Sequence, residues 1–209
     1  MSKKVLIAMV LFSLLLIISS IYVINKLDPG AKPKPTAEIT NIPANSVIVD
    51  TEFKLSTDDG KVFSYDDLKN KYSLIYFGFS YCPDICPVII QKLNEVANLM
   101  NESELSKVQF IFVSVDPSRD TPETLKAFVS QFGDKVLGLT GDKDQIDKLV
   151  TSLKGYYAKV DNNEDSNNYY VDHSSFIYLL DPQVNLVSQF TSAASVDEIS
   201  ESLKSKISK

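Results

Sequence analysis

The sequence predicts an α/β domain carried behind a single membrane-spanning helix. Three observations predict it. Residues 5–24 form an uncharged apolar run between Lys3-Lys4 and Lys26. Further along, apolar runs of strand length alternate with segments whose apolar residues recur every three to four positions. A cysteine pair, Cys82 and Cys86, sits between the first buried run and the helical segment that follows it.

The apolar run is about 20 residues, enough to span a bilayer as a helix. A cleaved signal peptide would have a shorter core and a small-x-small site, and Ser19-Ser20-Ile21 matches that poorly. The two leading lysines place residues 1–4 on the cytoplasmic side and the rest across the membrane. Residues 25–43 hold Pro29, Gly30, Pro33, Pro35 and Pro43 and read as an extended tether. Residues 44–209 are then the folded domain. The N-terminus lacks a long Arg- and Ser-rich transit segment. The expected location is therefore a bacterial inner membrane, single-pass, with the domain in the periplasm.

Within the domain, residues 53–55 and 61–63 flank Asp58-Asp59-Gly60, a hairpin signal. Residues 74–79 are a continuous apolar run, read as a buried strand, and residues 80–87 follow as a loop and turn. Val88, Ile89, Leu93, Val96 and Leu99 recur at helical spacing. Residues 110–115 are a second buried strand. Thr121-Pro122 is a helix start, and Gly133 ends that helix. Residues 136–139 are a short strand, and residues 142–156 read as a helix. The asparagine-rich stretch 161–168 is a surface loop or hairpin tip. Residues 176–180 and 186–190 are antiparallel strands, and residues 196–207 a closing helix. Strands alternating with helices imply a sheet covered on both faces. The position of the cysteine pair and the closing hairpin and helix specify a thioredoxin-like architecture.

The whole chain carries 21 basic and 27 acidic residues. Removing the five lysines and one aspartate of residues 1–36 leaves the domain at a formal −10. That argues against a nucleic-acid partner. Asn101-Glu102-Ser103 fits a glycosylation sequon but means little in a bacterium.

The chain has two cysteines and one histidine, His173. Cysteines four apart at a helix start have their sulfurs on one face, where free backbone N–H groups favour a thiolate. A structural zinc site needs four such ligands and an iron–sulfur cluster usually four cysteines. Haem attachment needs Cys-x-x-Cys-His, which is absent. Two chemistries remain open. Cys82, Cys86 and His173 form a set that suits copper. Alternatively, Cys82 attacks and Cys86 resolves in thiol–disulfide exchange, which needs no histidine. Asp84, Asp116 and Asp172 are acidic neighbours placed to tune either site, although solvated loop aspartates are commoner.

Three motifs resemble the Sco/SenC family: Gly78-Phe79-Ser80-Tyr81-Cys82-Pro83-Asp84-Ile85-Cys86-Pro87, Ser114-Val115-Asp116-Pro117-Ser118-Arg119-Asp120-Thr121-Pro122, and Val171-Asp172-His173-Ser174-Ser175. Anchor and tether agree with the family layout. One departure is the turn after Asp181-Pro182, where Val184-Asn185 replaces a family-like glycine. The resemblance implies a membrane-anchored copper chaperone of thioredoxin fold. It implies Cys82, Cys86 and His173 as ligands of Cu(I) or Cu(II). It implies cytochrome c oxidase subunit II, with its dinuclear copper centre, as the partner. Reduction of an acceptor's cysteines by Cys82 and Cys86, with a thiol-redox partner, is the alternative role.

Overall fold

The computed structural model describes residues 12–20, 38–39, 47–160 and 169–208. The chain divides into two compact units, Met1–Thr36 and Ala37–Lys209. In the first, residues 12–20 are helical (α1) and expose Phe12, Leu15 and Ile18. Among the described residues, no helix is long and apolar enough to cross a membrane. The remainder of the expected span, residues 5–11 and 21–24, lies outside the described residues. So does the expected tether, apart from residues 38–39.

Among its described residues the second unit contains ten strands: β1 (Glu38–Ile39), β2 (Lys54–Thr57), β3 (Val62–Ser64), β4 (Tyr72–Gly78), β5 (Val108–Ser114), β6 (Val136–Thr140), β7 (Tyr157–Val160), β8 (Tyr170–His173), β9 (Phe176–Leu180) and β10 (Leu186–Thr191). Eight form one sheet in the order β1-β10-β9-β4-β5-β6-β2-β3, while β7 and β8 pair separately. The β4/β5 and β5/β6 pairs are parallel, and β9 pairs antiparallel with both β4 and β10. Parallel neighbours need crossover helices. These are α2 (Ile85–Asn98), followed by the short α3 (Glu102–Leu105), and then α4 (Pro122–Val129). Helices α5 (Lys143–Ser152) and α6 (Val196–Ile207) complete the unit.

Strand β4 shows why the sheet centre is core. Leu74 and Tyr76 point to one face and Ile75 and Phe77 to the other, and all four are fully buried. Both faces are therefore covered there, as the unbroken apolar run requires. Helix α4 starts as expected: Thr121 accepts from the Thr124 N–H, and Pro122 occupies the first turn. Asn101 of the sequon caps α3, its side chain accepting from the Glu104 N–H at 3.0 Å.

Two expectations change. The helix expected over 142–156 ends at Ser152, because Lys154 takes a positive φ of 56° and Tyr157 begins β7. A Cβ on Gly155 would stand 3.0 Å from the Val150 side chain, so any larger residue there would crowd it. Strand β1 pairs with β10 inside the segment expected to be tether. Val184 itself sits at φ 65°, an outlier for a β-branched residue. Its side chain is buried, and the Asp181 carboxylate accepts from the Gln183 and Asn185 N–H groups around it. Burial and these bonds hold a turn that glycine would adopt without strain.

Candidate metal centre

Strand β4 delivers the chain to the cysteines at its C-terminal end. The turn that follows is pinned by Asp120, which is buried beyond the end of β5. Its carboxylate accepts from the Ser80 N–H at 3.0 Å and from the hydroxyls of Ser80 and Ser114. Its carbonyl accepts from the Thr140 hydroxyl at 2.7 Å. Asp120 thus ties the cysteine turn to β5 through its carboxylate and to β6 through its carbonyl. Asp120→Asn would put an amide N–H against those donors. It is expected to cost about 1–2 kcal/mol, read as a lowered denaturation midpoint.

Cys82 lies in that turn and is not helical, contrary to the same-helix-face reasoning from sequence. Its N–H donates to the Phe79 carbonyl at 3.2 Å. Asp84 is the N-cap of α2 but makes no side-chain cap bond. The backbone N–H groups of Asp84 and Cys86 instead serve the Cys82 sulfur. Cys86 is in the first helical turn with Pro87, whose missing N–H is tolerated there. The sulfur of Cys86 rests on β4 at Gly78: a Cβ at that position would stand 2.5 Å from it.

His173 arrives from the other side. It ends β8, not a loop, and pairs with Tyr157 of β7. Its ring lies edge-on to Tyr76 and Phe79, with centroids 6.0 and 5.8 Å apart. Its Nδ1 faces the Ser174 carbonyl at a long 3.5 Å. A carbonyl only accepts, so that contact favours the proton on Nδ1 and a free lone pair on Nε2. Nε2 is 3.6 Å from Cys86 Sγ.

The structure therefore brings all three sequence-predicted residues together. The two sulfurs and an imidazole nitrogen lie within 4.8 Å of one another, close enough to share one ion. Both cysteines are free thiols. A cleft of about 320 Å³ opens over Cys82 and His173, between the Pro83–Ile85 turn and the β7–β8 hairpin. Asp84 and Asp172 line this cleft, whereas Asp116 is buried in a pair with Arg119. Behind the site, the Tyr76 hydroxyl is buried without a hydrogen-bond partner among the described residues. Burial, then Cys86 and Cys82, push that phenol up.

The thiols are unequal. The Cys86 thiol, then the neighbouring His173 ring and the backbone N–H groups of Cys86 and Asp84, overcome burial and hold Cys82 down at about 3. Burial, then the hydrogen bond and charge of Cys82, push Cys86 up. Cys82 is also the more exposed, at 8% against 0%. Iodoacetamide is accordingly expected to modify Cys82 alone, at a rate nearly constant from about pH 8 to about pH 5. Equal labelling, or a rate falling tenfold per pH unit, would contradict this asymmetry.

Sequence reasoning missed Asp120 and Arg119 as site-building residues. Both lie in the second family-like motif, which was the available signal.

Known proteins resemble this chain in sequence and fold. A SCO2-like protein of Rickettsia felis is 37% identical over 204 residues, covering 98% of each chain. Bradyrhizobium japonicum ScoI, solved with copper bound, is 38% identical with a TM-score of 0.64, covering 73% of this chain and 96% of that one. BsSco, a member of the Sco family of cytochrome c oxidase assembly proteins in which a disulfide switch has been identified, is 27% identical with a TM-score of 0.61, covering 80% and 98%. The thioredoxin-like α/β architecture is shared with the two solved structures. With its family model matched over residues 43–208, this chain belongs to the SCO1/SenC family.

Proposed function

We propose that the chain is a membrane-anchored copper chaperone. It holds one copper ion through Cys82, Cys86 and His173 and passes it to the dinuclear copper centre of cytochrome c oxidase subunit II. The observation that carries this reading is the convergence of two sulfurs and one imidazole nitrogen within 4.8 Å of one another, with Cys82 and His173 facing an open cleft. Two soft thiolates suit Cu(I), and the imidazole extends the set to Cu(II). Three donors leave room for an incoming ligand of the acceptor. The copper found in solved relatives supports the choice of metal. Residues 5–24 anchor the domain in a bacterial inner membrane, with residues 1–4 cytoplasmic and the domain periplasmic. The charge-free run and the flanking lysines support that placement.

The unequal thiols favour a second reading, thiol–disulfide reduction of the acceptor. The Cys82 thiolate would attack an acceptor disulfide and release one acceptor thiolate. Cys86 would then displace the other, leaving a Cys82–Cys86 disulfide and two acceptor thiols.

Mixing copper-loaded residues 37–209 with the copper-free soluble domain of subunit II separates the readings. Chaperone action moves the copper to the acceptor. If no copper moves, and Cys86→Ser traps a mixed disulfide with the oxidised acceptor, the reductase reading replaces it.

A further inference from the structure

We propose that Arg119 is a positioning residue of the metal centre: its guanidinium clamps the hairpin that carries His173 to the turn that carries Cys82. The inference rests on the copper reading of the site and adds a residue that touches no ligand atom.

The need for a clamp follows from topology. The β7–β8 hairpin forms its own two-stranded sheet and shares no ladder with the eight-stranded one. Towards the C-terminus, β8 runs directly into β9. On its other side, among the described residues, no backbone–backbone hydrogen bond joins the hairpin to the cysteine turn. Arg119, the chain's one arginine, stands at that junction. Its guanidinium carbon is 3.8 Å from the Tyr169 ring centroid, 4.7 Å from that of Tyr81 and 5.7 Å from that of Phe79. Tyr169 leads into β8, Tyr81 adjoins Cys82, and Phe79 packs edge-on against His173. A planar cation can face several rings at once.

Polar bonds fix the plane. Asp116, only 4% exposed, pairs with Arg119 Nε through one carboxylate oxygen. Its other oxygen accepts from the Tyr169 hydroxyl at 2.6 Å. Arg119 Nη1 donates to the Tyr169 carbonyl at 3.2 Å. Arginine, aspartate and tyrosine thus close a ring of contacts, and the arginine is itself only 17% exposed.

The consequence is selective. Two thiolates hold Cu(I) without help, whereas Cu(II) prefers a tetragonal set in which imidazole takes part. Loosening the hairpin displaces His173 from the cysteines and therefore weakens Cu(II) more than Cu(I).

Arg119→Lys keeps the charge but not the planar stack. In the reduced, copper-loaded protein it is expected to lower Cu(II) affinity about tenfold, the scale of lost outer-shell support. Cu(I) affinity should hold, so the copper potential rises by about 59 mV. In the metal-free protein, amide exchange across β7–β8 should accelerate. Tyr169→Leu, which leaves the Arg119–Asp116 pair in place, should shift both readouts the same way and covers the case in which Arg119→Lys fails to fold. A folded variant with a lower melting temperature but unchanged potential and exchange overturns the inference alone. A parent protein that binds no copper overturns the copper reading and the inference with it.

Discussion

Alanine at position 78 is expected to destabilise the domain by about 3 kcal/mol and to disable its metal centre. The added Cβ would stand 2.5 Å from Cys86 Sγ and 2.8 Å from Phe112 Cε2. Neither neighbour has room to retreat: Cys86 is fully buried in the first turn of α2, and Phe112 is fully buried in β5. Gly78 itself is held by the parallel ladder to β5, and its carbonyl accepts from the Val115 N–H at 2.8 Å. Relief therefore pushes Cys86 away from the point it shares with Cys82 and His173. Denaturant titration should show the loss of stability, and copper titration a loss of stoichiometric binding. Parent-like stability and binding in Gly78→Ala would mean that the sulfur does not rest on this strand.

Replacing His173 with alanine is expected to affect the two oxidation states differently. Cu(I) should still bind to the thiolates of Cys82 and Cys86. Cu(II) should bind more weakly by more than the roughly 10–100-fold that loss of an outer-shell partner costs, since a direct ligand is removed. The sulfur-to-Cu(II) charge-transfer band should weaken or vanish. The substitution also leaves Tyr76 and Phe79 without the ring they meet edge-on, so stability should fall modestly as well. Equal Cu(II) affinity and an unchanged band in His173→Ala would remove the imidazole from the ligand set.

Local chemistry explains which parts of the fold the sequence announces. Strand β4 is readable because burial on both faces demands an unbroken apolar run. The start of α4 is readable because Thr121 and Pro122 carry their capping chemistry in the residues themselves. Cys82, Cys86 and His173 are readable because the chain has no other thiol or imidazole. The β7–β8 hairpin is not. The apolar period of α5 runs on through Leu153 to Tyr156, and the stop depends on a positive φ at Lys154, for which Gly155 is the one local signal. The Arg119 clamp is hidden for a different reason. Its partners at positions 79, 81, 116 and 169 are separated by up to 90 residues, and only the fold brings the three rings and the carboxylate together. Cys82 shows that two residues can meet for a reason other than the one their spacing suggests. Its sulfur meets Cys86 because a turn pinned by Asp120 delivers it, not because the two share a helical face.

X-ray absorption at the copper edge, on residues 37–209 loaded after reduction, tests the proposed centre most directly. One copper per chain is expected, bound by two sulfurs and one imidazole nitrogen, with one sulfur lost in Cys82→Ser and the nitrogen lost in His173→Ala. Copper bound without sulfur, or a first shell unchanged in both variants, would contradict a centre built from Cys82, Cys86 and His173.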